Sequence, residues 1–279
     1  MQNNRITHKF QELANSREKG LITYLTAGDP DLKTSVELVA AMDRAGADLI
    51  EIGIPFSDPV ADGPSIQQAS TRALAKGVRL AAIMEAAAEM RKLTNLPLIF
   101  MTYYNPVLQY GLERFVQDAV RAGVDGLIIP DLPYEETQPL QSMADPSGLA
   151  LIPLVAPTTT DGRLKNISSY ARGFIYCVSV TGVTGARQQI STDLEQFITR
   201  VRKHTSLPIA IGFGIAGPQQ AARVASFCDA VVVGSAIVNT VAAQSTKSSA
   251  ISSVAGLVKE IKSALKKLKK EIACDEGLC

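Results

Sequence analysis

The stretch Thr34–Ile54, TSVELVAAMDRAGADLIEIGI, holds one copy of the unit that repeats along this chain. Thr34–Ala45 sets Val36, Val39, Ala40 and Met42 toward one side and Glu37, Asp43 and Arg44 elsewhere, the spacing of an amphipathic helix. Arg44-Ala45-Gly46 then supplies a cation for the last turn and a glycine just past it, which stops a helix. Leu49–Ile54 follows, apolar on both faces except at Glu51. A parallel strand covered by helices has that composition, because neither face meets water.

Outward from this unit the alternation continues in both directions. Apolar runs lie at Leu21–Leu25, Leu49–Ile54, Leu98–Thr102, Gly126–Ile129, Leu151–Val155, Phe174–Val178, Ile209–Gly212 and Ala230–Val233, eight in all. Asp193–His204 carries Leu194, Phe197, Ile198 and Val201 at helical spacing, and Arg121-Ala122-Gly123 and Ala171-Arg172-Gly173 repeat the stop signal. Eight strand–helix repeats with short links predict an α/β fold, a (β/α)8 TIM barrel; a doubly wound open sheet is the alternative, since periodicity alone does not prove closure. Ile6–Leu13 adds a helix before the barrel and Ile251–Ile272 a long one after it. The expected organisation is one domain over residues 1–279, with the barrel at about 18–240, a C-terminal helix at about 249–272 and a short tail to 279.

Composition narrows the function classes. Lys plus Arg number 28 and Asp plus Glu 27, so net charge gives no reason to expect nucleic acid or an acidic membrane as partner. Lys266, Lys267, Lys269 and Lys270 read as the solvated face of a helix end, where cations are favoured. Charge or Gly/Pro interrupts every apolar run before it could span a bilayer, and the first residues do not suit a signal peptide, so a cytoplasmic protein is expected. Cys177, Cys228, Cys274 and Cys279 form no CxxC pair and read as reduced thiols; nothing supports a Cys274–Cys279 disulfide. His8 and His204 fall in helices away from strand ends, which argues against a catalytic triad or a histidine metal site, and no metal is expected.

A TIM barrel keeps its chemistry in the loops at the C-terminal ends of the strands. The loop after the second run, Gly53 through Pro64, is the most chemically loaded, and Glu51 stands just before it. A carboxylate inside an apolar strand is either bridged to a basic partner, a structural role, or has a raised pKa, which suits a general acid or base near neutral pH. Asp62, between glycine and proline turns, is a plain turn residue alone; with Glu51 it makes a pair that could divide acid and base roles. Asp58, just before a proline, reads as a turn residue or a surface contact, and Asp131 as a loop cap that ranks below Glu51 and Asp62. Gly212 through Gly217 fits GxGxxG, but the acidic residue a dinucleotide needs has no candidate except Asp229, at the wrong end of its strand. Joined with Gly234-Ser235, the same glycines instead suit phosphate held on backbone N–H groups after the last two strands. Ser179 through Gln188 has the glycine-punctuated composition of a lid.

Thr26-Ala27-Gly28-Asp29-Pro30, Glu51 through Pro64, Tyr103-Tyr104-Asn105-Pro106, Asp131-Leu132-Pro133, Val180 through Gly185, Gly212-Phe213-Gly214-Ile215 and Val233 through Val238 together resemble the tryptophan synthase alpha family. The resemblance covers roughly residues 5–265. It implies a lyase that cleaves indole-3-glycerol phosphate to indole and glyceraldehyde 3-phosphate, with Glu51 and Asp62 catalytic and Tyr176 and Thr184 in support. It further implies phosphate on Gly185, Gly214, Gly234 and Ser235, and indole between Tyr24, Met101, Ile128 and Phe213. No cofactor is implied here, since the family's pyridoxal phosphate belongs to a beta subunit. That subunit would dock on the loops Pro55–Pro64 and Ser179–Gln189, with Asp58 and Pro55 at the contact, in a complex of two alpha and two beta chains. The alternatives are a lyase working alone, a barrel acting on another phosphorylated metabolite, and a non-catalytic subunit that only activates a partner.

Overall fold

In the computed structural model residues 4–178, 187–212 and 214–275 are described, with 187–192 and 269–275 as backbone only. Among the described residues nine strands form: β1 Gly20–Thr26, β2 Leu49–Gly53, β3 Leu98–Met101, β4 Gly126–Ile128, β5 Ala150–Leu151, β6 Leu154–Val155, β7 Ile175–Val178, β8 Ile209–Gly212 and β9 Ala230–Val233. All their pairings are parallel, in the order β5-β4-β3-β2-β1-β9-β8-β7-β6. That order is a ring, because β5 and β6 are consecutive pieces of one run. The Ile152 N–H donates to the Leu127 carbonyl at 2.9 Å and the Tyr176 N–H to the Pro153 carbonyl at 3.0 Å, so the ladder continues on both flanks of the gap. Pro153 has no N–H to give, which is why one run reads as two strands. The eight runs found in the sequence are therefore the eight staves of a closed (β/α)8 barrel, and the open-sheet alternative falls.

Twelve α-helices accompany the strands among the described residues: α1 Arg5–Asn15, α2 Leu32–Ala45, α3 Pro64–Ala75, α4 Leu80–Leu93, α5 Tyr104–Tyr110, α6 Leu112–Arg121, α7 Gln138–Ala144, α8 Asp161–Tyr170, α9 Arg187–Arg202, α10 Pro218–Ala225, α11 Ser235–Ala242 and α12 Lys247–Asp275. The unit read first in the sequence forms α2 and β2. Asp31 caps α2 by accepting the Thr34 N–H at 2.7 Å, and Gly46 ends it at φ 104°, a conformation that favours glycine. Gly123 does the same after α6, at φ 82°. The third expected stop is different: α8 ends at Tyr170, Ala171 is extended, and Arg172 instead pairs with Asp145 at 2.8 Å. The last helix begins earlier than the apolar stripe suggested, because Thr246 accepts the Ser249 N–H and so caps it ahead of Ile251.

Two cores result. The outer one lies between strands and helices; the inner one fills the barrel with Ile22, Leu49, Ile99, Ile128, Ile152, Phe174 and Tyr176. Ile6, Phe10 and Leu13 of α1 join the inner cluster, so this helix plugs the N-terminal end of the barrel. At that end three aspartates stand just before strands. Asp48 accepts the Leu21 N–H at 2.7 Å and Lys262 Nζ at 2.6 Å. Asp125 accepts the Leu98 N–H at 2.9 Å and pairs with Arg5 at 2.8 Å and Arg91 at 3.0 Å. Asp229 accepts the Ile209 N–H at 2.7 Å and pairs with Arg202 at 2.6 Å. Each stitches neighbouring strands and anchors a cation from α12, α4 or α9. Among the described residues no helix is long and apolar enough to cross a membrane.

Candidate active site

The plug leaves the C-terminal end of the barrel as its open end. Glu51 lies within β2, opposite Tyr24 of β1 and Ile99 of β3 in register, and is 1% exposed. Neither carboxyl oxygen has a hydrogen-bond partner among the described residues. The structural reading of Glu51, a bridge to a basic side chain, therefore finds no support there. Desolvation in the barrel pushes its carboxyl up to about 8, so it carries a proton at neutral pH.

Space above Glu51 is made by two glycines. A Cβ on Gly53 would lie 2.0 Å from Tyr24 Oη, and one on Gly212 would lie 2.4 Å from Tyr176 Oη. These strand-end glycines leave room for the two tyrosine hydroxyls, and both phenols lie near Glu51. Burial raises both phenols well above their ordinary value, and the nearby Glu51 and Asp62 carboxyls push the same way. Tyr24 packs with Ala69 and Val238, and Met101 touches both this group and the inner core, where Ile128 is fully buried. Of the four residues expected around an indole, Tyr24 and Met101 thus share one cluster and Ile128 lies in the inner core beneath; Phe213 lies outside the described residues, as do Thr184, Gly185 and most of the expected lid.

Asp62 is half-buried on the loop between β2 and α3. Burial pushes its carboxyl up to about 6, opposed by a hydrogen bond from the Tyr103 hydroxyl. Tyr103 is a residue to which sequence reasoning gave no role. It is 4% exposed, packs tilted against Phe56 with ring centroids 5.2 Å apart and accepts the Ala61 N–H at 2.9 Å, so it holds the loop by its backbone with its hydroxyl near the Asp62 carboxyl. Its signal in the sequence was position, a polar aromatic just after β3 on the catalytic side. Asp131 is a cap, accepting the Tyr104 N–H at 2.9 Å where α5 begins.

Gly234 precedes α11 and provides no side-chain cap, so the N–H groups of the first turn, Ser235's among them, have no competitor for an incoming anion. Gly214 holds φ 57° in the loop after β8, again a conformation that favours glycine. Asp58 is exposed on the loop after β2, bonded to Ser57 at 2.5 Å, and Val60 beside it is 84% exposed. Pro55, expected at a partner contact, is buried instead, because the loop turns outward only after it. Among the described residues no group of three or more His, Cys, Asp or Glu side chains could hold a metal ion.

Known proteins are similar to this chain in sequence and fold. The family model of the tryptophan synthase alpha chain matches residues 10–266. A tryptophan synthase alpha chain from Caldanaerobacter subterraneus is 51% identical over 239 residues, 86% of this chain and 91% of that protein. One from Thermoanaerobacter sp. is 47% identical over 262 residues, 94% of this chain and all of that protein. The crystal structure of tryptophan synthase subunit alpha from Legionella pneumophila superposes with a TM-score of 0.87 at 36% identity, covering 95% of this chain and 99% of that one. With matches of this extent, the chain belongs to the tryptophan synthase alpha chain family.

Proposed function

We infer that this chain catalyses the alpha reaction of tryptophan synthase, the retro-aldol cleavage of indole-3-glycerol phosphate to indole and glyceraldehyde 3-phosphate. The observation that carries the assignment to residues is the protonated, unpartnered Glu51 at the same barrel mouth as a carboxyl, Asp62, that is mostly ionised at pH 7, with Tyr24 and Tyr176 near both. Two carboxyls held in opposite states divide acid and base work. The bond from indole C3 to the side chain breaks easily only when the ring is an indolenine. Glu51 gives its proton to C3, and the resulting carboxylate takes the proton of the neighbouring side-chain hydroxyl as the bond cleaves. Asp62 accepts the indole N–H and stabilises the positive charge developing on the ring, held for that task by Tyr103. Tyr24, Met101, Ile128 and Phe213 surround the indole. Gly185, Gly214, Gly234 and Ser235 hold the phosphate, and Tyr176 and Thr184 support the carboxyls. This chain's own side chains move the protons, and the electron pair of the breaking carbon–carbon bond returns to the ring as the side chain leaves as an aldehyde.

The same reading includes a beta subunit docked on the face that carries Asp58, in a complex of two alpha and two beta chains that passes indole onward. The exposed Asp58 and Val60 support a contact there, and Asp58 shares its short loop with Asp62. The test is indole release from indole-3-glycerol phosphate while a cognate beta subunit is titrated into wild type and Asp58→Ala. Wild type should gain more than about tenfold, and Asp58→Ala clearly less. Full activity without any partner would favour the lyase that works alone, and no cleavage under any condition would favour the non-catalytic subunit.

A further inference from the structure

Both ends of α3 are tied, and one of them carries Asp62. At the N-terminal end the Gln67 side-chain amide donates to the Asp62 carbonyl at 2.9 Å, while the Ile66 and Gln67 N–H groups donate to the Gly63 carbonyl at 3.1 and 3.0 Å. At the other end Arg72 grips Asp29 with two parallel bonds, Nε to Oδ1 at 2.9 Å and Nη2 to Oδ2 at 2.7 Å. Asp29 is 6% exposed and its loop is anchored in turn: its own N–H donates to the Thr26 carbonyl at 3.2 Å, and the Gly28 N–H donates to Ser35 Oγ at 3.0 Å. Gly28 has φ 86°, and a Cβ there would sit 2.6 Å from Val78, so this loop presses directly on the chain that leaves α3. Between the two ends, Ala69 packs against Tyr24 and Val238 of α11. An exposed ion pair contributes little, but a forked guanidinium–carboxylate pair with a buried carboxylate fixes geometry as well as adding energy.

We propose that Gln67 and the Asp29–Arg72 pair are positioning residues for Asp62, with α3 as the strut that holds the catalytic loop where Asp62 meets the Tyr103 hydroxyl. The proposal rests on Asp62 being the acceptor of the indole N–H. A reacting group displaced by about 1 Å loses as much as about 10²-fold in rate, so loosening the strut is felt in the chemical step. Phosphate capture is affected far less, because neither Gln67 nor the Asp29–Arg72 pair bonds to the glycine loops assigned to it.

The test compares Arg72→Gln, Asp29→Asn, the double variant and Gln67→Ala with wild type and Asp62→Asn, in indole release, in calorimetric binding of glycerol 3-phosphate, and in thermal melts. Each single variant should lower kcat about tenfold while glycerol 3-phosphate affinity changes less than about twofold. The double variant should be no worse than the worse single one, since the pair acts as a unit. Gln67 is exposed and makes no ion pair, so Gln67→Ala probes the strut without endangering the fold. Lower melting temperatures with kcat unchanged well below the melt would overturn the proposal by showing a purely structural role. Parallel losses of kcat and phosphate affinity would overturn it too, as general loosening of the face. An active Asp62→Asn would instead sink the reading of Asp62 itself.

Discussion

Asp48 and Glu51 stand on the same stretch of chain, separated only by Leu49 and Ile50, and both are buried. Asp48, at the plugged end of the barrel, accepts a backbone N–H from the neighbouring strand and the ammonium of Lys262. Glu51, nearer the open end, accepts nothing among the described residues. Asp125 and Asp229 repeat the first pattern, each with a strand N–H and at least one arginine. The contrast separates two meanings of a buried acid. Removing a charge from water costs several kcal/mol, which pairing and hydrogen bonds offset. Where both are supplied the residue is a rivet; where neither is, the proton stays on and becomes available for chemistry.

Exchanging the partners at the two ends gives the strongest ways to break that contrast. Glu51→Gln should lower indole release by about 10²-fold or more with no loss of melting temperature, because an amide fills the same space and shuttles no proton. A loss smaller than tenfold ends the proposed role. Asp125→Ala should do the reverse. It removes the carboxylate that pairs with Arg91 and Arg5 and that accepts the Leu98 N–H, which should cost about 3–5 kcal/mol. The melt should fall by roughly 10 °C while kcat at 25 °C per folded molecule stays as in wild type. A variant that keeps its melt but loses turnover would show that the plugged end takes part in the chemistry after all. A sharper comparison lies in the pH profile of kcat/KM. It should rise through about 6 as Asp62 loses its proton and fall through about 8 as Glu51 loses its own. A profile without the upper limb would contradict a protonated Glu51.

Much of this contrast is legible in the sequence, and what is not has physical causes. The staves were legible because each is apolar on both faces, a pattern local in sequence. Closure was not, since it depends on pairing between β1 and β9 at distant positions and on the run split at Pro153. Glu51 stood out as one charge in an apolar strand, yet sequence left two fates open, bridged or bare, because Lys262 and Arg91 arrive from remote helices and nothing local says which acid they reach. Tyr103 and Arg72 were silent for the same reason: their partners Asp62 and Asp29 are 41 and 43 positions away.

The subtlest expected effect concerns stability rather than turnover. Glu51 holds its proton up to about 8 in the folded chain, whereas an ordinary glutamate releases it near 4.5. Between those values the folded state binds more protons than the unfolded one, so this residue makes stability fall as pH rises through the window. Below about 4.5 both states are protonated and the residue is neutral in the balance. The amide of the Glu51→Gln variant does not titrate and escapes the slope altogether. The phenols nearest Glu51, Tyr24 and Tyr176, stay protonated throughout the window, and Asp62 is common to both chains, so the difference between variant and wild type isolates Glu51. Melting temperatures measured from pH 5 to pH 8 should nearly coincide at the acid end and diverge steadily, with the variant higher by roughly 5 °C at pH 8. The same series on Asp48→Asn should show the variant lower, since it loses the ion pair with Lys262. A constant offset for Glu51→Gln across the range would mean that Glu51 is ionised in the folded chain, and the distinction between the two ends of the barrel would be lost.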